Sequence, residues 1–126
     1  MKTSKLIGVQ LDWAVAKCEG KNGVLHDDGI TRCIVIATAS GVYKGTWKPS
    51  VNWSQGGPII EREEIGTSRN APCTKGRDWE ARGSITAKGA GYLWGYGPTP
   101  LIAAMRCYVA SKMGDEVAIP NELIGK

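Results

Sequence analysis

The sequence predicts an α+β fold, one domain over residues 1–126 with two principal helices on a mostly antiparallel sheet. Three stretches carry that expectation. PTPLIAAMRCYVASKMG repeats its apolar residues with the period of a helix, CIVIATA is a short β-branched run, and YLWGY alternates aromatic and smaller residues as a strand does.

Residues 8–19 read as the first helix. Leu11, Val15 and Cys18 fall on one stripe with Ala14, and Gly20 stands where a helix-ending glycine belongs. Lys21-Asn22-Gly23 and Asp27-Asp28-Gly29 read as turns. CIVIATA, residues 33–39, is apolar on both faces and suits a central strand. Gly41 then turns the chain into VYKGTW as its partner. In WSQGGPIIERE, Gly56-Gly57-Pro58 reads as a tight turn opening a short helix with Pro58 in its first position. That places Glu61 in the first helical turn, where a carboxylate offsets the macrodipole. Residues 66–90 lack periodicity and read as an exposed, mixed-charge excursion with one short strand near 84–87. Tyr92, Trp94 and Tyr96 would share one face of the following strand. The last helix has Thr99 as N-cap, Pro100 at N1, a stripe of Leu101, Met105, Val109 and Met113, and Gly114 as its end.

Bulk properties narrow the function. A net charge of +4 permits an anionic ligand but lacks the dense basic stripe of a duplex nucleic-acid binder. The N-terminus has no apolar core of a signal peptide, and no run approaches the length of a membrane span, so a non-membrane protein is expected. Without an export signal, Cys18, Cys33, Cys73 and Cys107 read as free thiols that pack. His26 is the single histidine. Beside Asp27 and Asp28 it reads as an exposed turn residue, since neither a triad nor a metal set is completed nearby. GAGYLWG is spaced G-x-G-x-x-x-G and leads into a strand, so it fails as a dinucleotide fingerprint. No catalytic constellation, metal set or cofactor is therefore expected.

The remaining candidates form a binding set. Asn52 and Gln55 can read hydrogen-bonding edges, Trp53 can stack, and Gly56-Gly57 can let a ligand approach the backbone; alternatively Trp53 is core and the amides close a turn. Trp13 is a second stacking candidate. Arg106 lies at the margin of the last helix's stripe, either a solvated edge or, with Thr99, a phosphate clamp.

Three segments, LDWAVAKCEG, NWSQGGPIIERE and GPTPLIAAMRCYVASKMGDEVAIP, resemble the phage NinX family, small proteins encoded in accessory regions of lambda-like phages. Residues 66–90 depart from the family's usual form. The resemblance implies a phage protein acting in the host bacterial cytoplasm, in a region of dispensable genes that modify the host interaction. By analogy of context and size, such proteins include sponges for nucleotide-derived immune signals. The expected function is sequestration, without cleavage, of a nucleotide-type small molecule such as a cyclic nucleotide or an ADP-ribose derivative, by a homo-oligomer. The rival expectation is a module that docks on a host or phage protein through the aromatic face of 91–97.

Overall fold

The computed structural model describes residues 1–38, 43–69, 77–83 and 93–124. After a 3-10 turn at Thr3–Lys5 come α1 (Val9–Cys18), β1 (Asn22–Asp27), β2 (Arg32–Ala37) and β3 (Tyr43–Trp47). Then follow α2 (Trp53–Arg62), β4 (Gly66–Arg69), β5 (Trp79–Gly83), β6 (Leu93–Gly97), α3 (Pro100–Met113) and a final 3-10 turn at Asn121–Leu123. The strands form two antiparallel sheets of three, ordered β1-β2-β3 and β4-β5-β6. The α+β class is the one expected, with α2 standing as a full third helix.

Helix α3 is the hub. The Thr99 hydroxyl accepts from the Ile102 amide, Pro100 occupies the first turn, and Gly114 ends the helix at φ +85°. Its surface is buried from Leu101 to Met105 and from Cys107 to Val109, well beyond the expected stripe. The reason is that sheet β4-β5-β6, α1 and α2 all pack on it. Strand β6 lies directly on the helix because Gly95 and Gly97 face it. A Cβ on Gly95 would stand 2.6 Å from the Ala103 carbonyl oxygen and 2.8 Å from the Cys107 nitrogen. These glycines serve packing inside a regular strand rather than a turn.

Helix α2 begins five residues earlier than GGP suggests. Asn52 is its N-cap, with Oδ1 accepting from the Ser54 amide at 2.9 Å, and Gly56, Gly57 and Pro58 all lie within the helix. Gly56 is there because a Cβ would stand 2.6 Å from both Leu101 Cδ1 and the Pro49 oxygen, where α2 meets α3. Glu61 therefore sits in the last turn, and the macrodipole role expected for it does not apply. The helix ends in a Schellman motif: the Glu64 amide donates to Glu61 O and the Ile65 amide to Ile60 O. Glu64 takes the left-handed position at φ +54°, a place glycine prefers. Glu64→Gly is expected to stabilise the protein by about 1 kcal/mol, read as a higher urea midpoint. An unchanged or lower midpoint would mean the Glu64 backbone carries no such cost.

Two further expectations are corrected. Asn22-Gly23 and Asp27 belong to strand β1, which pairs with β2 in unbroken register from Asn22↔Ala37 to Asp27↔Arg32. Only residues 28–31 turn, held by the Asp28 carboxylate accepting from the Ile30 and Thr31 amides. His26 accordingly lies on a strand rather than in a turn. Where it is described, the 66–90 stretch is mainly strand: β4 is exposed along its length, while β5 reaches the core. Ala81 of β5 is fully buried beneath α3. The strand expected near 84–87, the turn at Gly41, and Cys73 and Tyr92 lie outside the described residues.

One side-chain network joins the three helices. Arg62 at the end of α2 forks onto Glu19 at 2.6 and 3.1 Å, and the Tyr108 hydroxyl of α3 donates to the same carboxylate. Arg62 Nε also reaches Glu63 at 2.9 Å. The Arg62 guanidinium holds the Glu19 carboxyl below its usual range, and burial beside that carboxylate pushes the Tyr108 hydroxyl up. Burial likewise raises the Cys18 and Cys107 thiols to about 11, which leaves both protonated and unreactive at neutral pH.

Candidate functional site

The residues that sequence reasoning grouped around GGP are mostly occupied by the fold. Gln55 uses both ends of its amide, Oε1 accepting from the Lys48 amide at 2.7 Å and Nε2 donating to Thr46 O at 2.8 Å. It thus clamps α2 to the end of β3. Asn52 accepts from the Ser54 amide and hydroxyl, and Thr99 caps α3. Gly56 is packed against α3, whereas Gly57 has open space where a Cβ would stand. Trp53 is 54% exposed at the first position of α2. Trp13 is half-buried against the core, with the Lys17 ammonium 5.6 Å above its ring. Arg106 lies elsewhere, about 10 Å along α3 from Thr99 at the rise of a helix.

Arg106 opens into a groove of about 1000 Å³. Lys2, Ser4 and Lys5 line it from the N-terminal segment, Trp94 and Tyr96 from β6, and Arg77 from the approach to β5. Asp115 and Glu116 form its acidic end. The N-terminal wall is fixed by local chemistry. The Thr3 amide donates to Asp115 O at 2.8 Å, its hydroxyl donates to Gly114 O at 2.7 Å, and Leu6 is fully buried.

Arg106 bridges the two walls. Its Nε donates to Leu6 O at 2.9 Å and its Nη1 to Tyr96 O at 2.8 Å. Burial alone shifts it, pulling the guanidinium below the ordinary arginine value, and it stays charged at every physiological pH. Among the described residues, no carboxylate forms an ion pair with it. Among the described residues its hydrogen bonds run to main-chain carbonyls, and a half-buried cation held this way keeps its charge unneutralised.

The aromatic wall follows from strand alternation. Gly95 and Gly97 share one side of β6 and are pressed on α3, and so Trp94 and Tyr96 point away from the helix. Trp94 is 45% exposed. Arg82 sits opposite it on β5, its guanidinium carbon 5.8 Å from the ring centroid. The Arg77 guanidinium carbon stands 4.1 Å over the Tyr96 ring. Of the residues expected in a site, only Arg106 lines this groove, beside the two rings of the rival docking expectation. Lys2 and Lys5 were missed; no sequence signal links them to a helix a hundred residues later. Among the described residues, no group of three or more His, Cys, Asp or Glu side chains could hold a metal, and no helix is long and apolar enough to cross a membrane.

Fold and groove together describe a small α+β protein with a ring-lined groove that holds a half-buried arginine. The family model described as Bacteriophage P22, NinX matches residues 2–112, and the chain belongs to this phage family. The match includes every groove residue except Asp115 and Glu116. A comparison with curated proteins gave no match.

Proposed function

We propose that this phage protein binds a nucleotide-type small molecule, a cyclic nucleotide or an ADP-ribose derivative, in the β6–α3 groove and holds it uncleaved in the host cytoplasm. A signal held there is denied to the host's antiviral effectors. The observation that carries the reading is Arg106, a guanidinium fixed at two points and lacking a carboxylate partner among the described residues, set beside the exposed Trp94 ring. Such a pairing offers one charge for a phosphate and one plate for a base. Among the described residues, the groove carboxylates Asp115 and Glu116 have no side-chain partner to orient them as a general base, which favours binding without turnover.

The test is incubation of the purified protein with a panel of cyclic nucleotides and ADP-ribose derivatives, followed by heating. Retention and release of intact ligand supports sequestration; release of an altered ligand makes the protein an enzyme. Arg106→Lys should weaken binding by about tenfold, because an ammonium cannot reproduce the planar fork. The exposure of Trp94 also favours a second reading, in which the aromatic face of 91–97 docks on a host or phage protein. Failure to retain any member of the panel would move the balance to docking.

A further inference from the structure

The groove has two plates rather than one. Trp94 and Tyr96 are two residues apart on one face of β6, which spaces them by about 7 Å along the strand. Stacked neighbours within one nucleic-acid strand lie only about 3.4 Å apart. The spacing therefore mismatches a continuous base stack and suits two bases splayed apart, each on its own plate.

The plates differ in kind. At Trp94 a base meets the half-exposed indole itself, with the Arg82 guanidinium beside it. At Tyr96 the outer surface is the Arg77 guanidinium lying over the ring, and a guanidinium plane stacks on bases as an aromatic ring does. Arg106 is anchored to the main chain of Tyr96 itself, on the groove side of the same strand. A phosphate linking two bases seated on these plates would face that cation, with Lys5 on the opposite wall.

We infer that the groove recognises a dinucleotide unit, two unstacked nucleobases joined through phosphate, with Trp94 and the Arg77–Tyr96 pair each taking one base and Arg106 the linkage. This rests on the proposed nucleotide binding and narrows it. The unit could be free, linear or cyclic, or part of a single strand; a duplex is excluded because its bases stay stacked.

Titration calorimetry with four probes decides the matter: adenosine monophosphate, the linear dinucleotide pApA, cyclic di-adenosine monophosphate, and a ten-residue oligoadenylate. A dinucleotide, linear or cyclic, is expected to bind at least about tenfold more tightly than the mononucleotide, the gain of one further stacked base. Trp94→Ala should abolish that preference, whereas Trp94→Tyr, which keeps a ring, should retain most of it. The two variants differ only at a half-exposed side chain, and matching thermal midpoints would confirm that both fold. An oligoadenylate binding no more tightly than the dinucleotides marks a free dinucleotide as the source; binding at least about tenfold tighter marks a single strand. Either upholds the two-plate site. Equal affinity for mononucleotide and dinucleotides overturns it while leaving nucleotide binding intact. Absence of binding by all four overturns the two-plate site, and retention of an ADP-ribose derivative in the panel experiment would then leave nucleotide binding standing without it.

Discussion

Gly95→Val is expected to lower stability by about 3 kcal/mol or more, enough to leave much of the protein unfolded at 37 °C. Overpacking usually costs less because a side chain can swing away. Here the intruding Cβ meets main chain, the Ala103 carbonyl oxygen at 2.6 Å and the Cys107 nitrogen at 2.8 Å. Neither atom moves unless β6 lifts from α3, and that contact is the centre of the core. Lifting β6 also pulls Tyr96 O away from Arg106 Nη1. Any residual folded fraction should therefore bind groove ligands more weakly than the parent. Urea unfolding of the variant beside Gly57→Ala provides the contrast, since a Cβ at Gly57 has open space. Alanine at that helical position should be neutral or stabilise by about 1 kcal/mol. Equal costs at the two glycines would show that the close approach of β6 to α3 does not limit stability.

The contrast between those glycines also shows what the sequence could reveal. Helix α3 was legible because its signals are local: a threonine cap, a proline in the first turn, a 3.6-residue stripe and a closing glycine. Strand β6 was legible from its alternation. Helix α2 was misjudged at its start because Gly-Gly-Pro breaks helices by propensity, and the fold overrides propensity here. Gly56 is needed where α2 touches Leu101 and Pro49, and the Asn52 cap restores the helix start. Strand β1 was hidden for a similar reason. Its Asn, Gly and Asp residues disfavour a strand in isolation, and pairing with the strongly β-forming CIVIA of β2 makes one. At the site, Arg106 could be singled out as a cation at the edge of an apolar stripe. What it would face could not be foreseen. Lys2 and Lys5 reach it through the packing of Leu6, and Arg77 through strands that the sequence shows as a charged loop.

The other large effect concerns Asp12, buried on α1 with 5% of its surface exposed. Its Oδ1 accepts from the Ser50 amide at 3.0 Å, fastening the turn before α2 to the first helix. Burial raises its carboxyl from 3.8 to about 6, against the opposing pull of the Ser50 hydrogen bonds and the Lys48 charge. A carboxyl whose folded pKa exceeds its unfolded value binds more protons in the folded state across that interval. Stability must then fall as pH rises from about 4 to about 6, and level off above. At about 1.4 kcal/mol per pH unit, the ionised carboxylate costs the fold about 3 kcal/mol at neutral pH. Asp12→Asn keeps an oxygen for the Ser50 amide and removes the charge, so its stability relative to the parent should climb by about that amount between pH 4 and pH 7.5. Glu19 acts in the opposite sense, because Arg62 lowers its pKa and its stabilisation is lost as pH falls through the acid range. Both proteins share that loss, so it cancels in the difference. Denaturant unfolding at half-unit pH steps gives the two profiles directly. Parallel profiles from pH 4 to pH 7.5 would mean that the Asp12 carboxylate is accommodated without cost, and that the Ser50 contact alone accounts for its place in the fold.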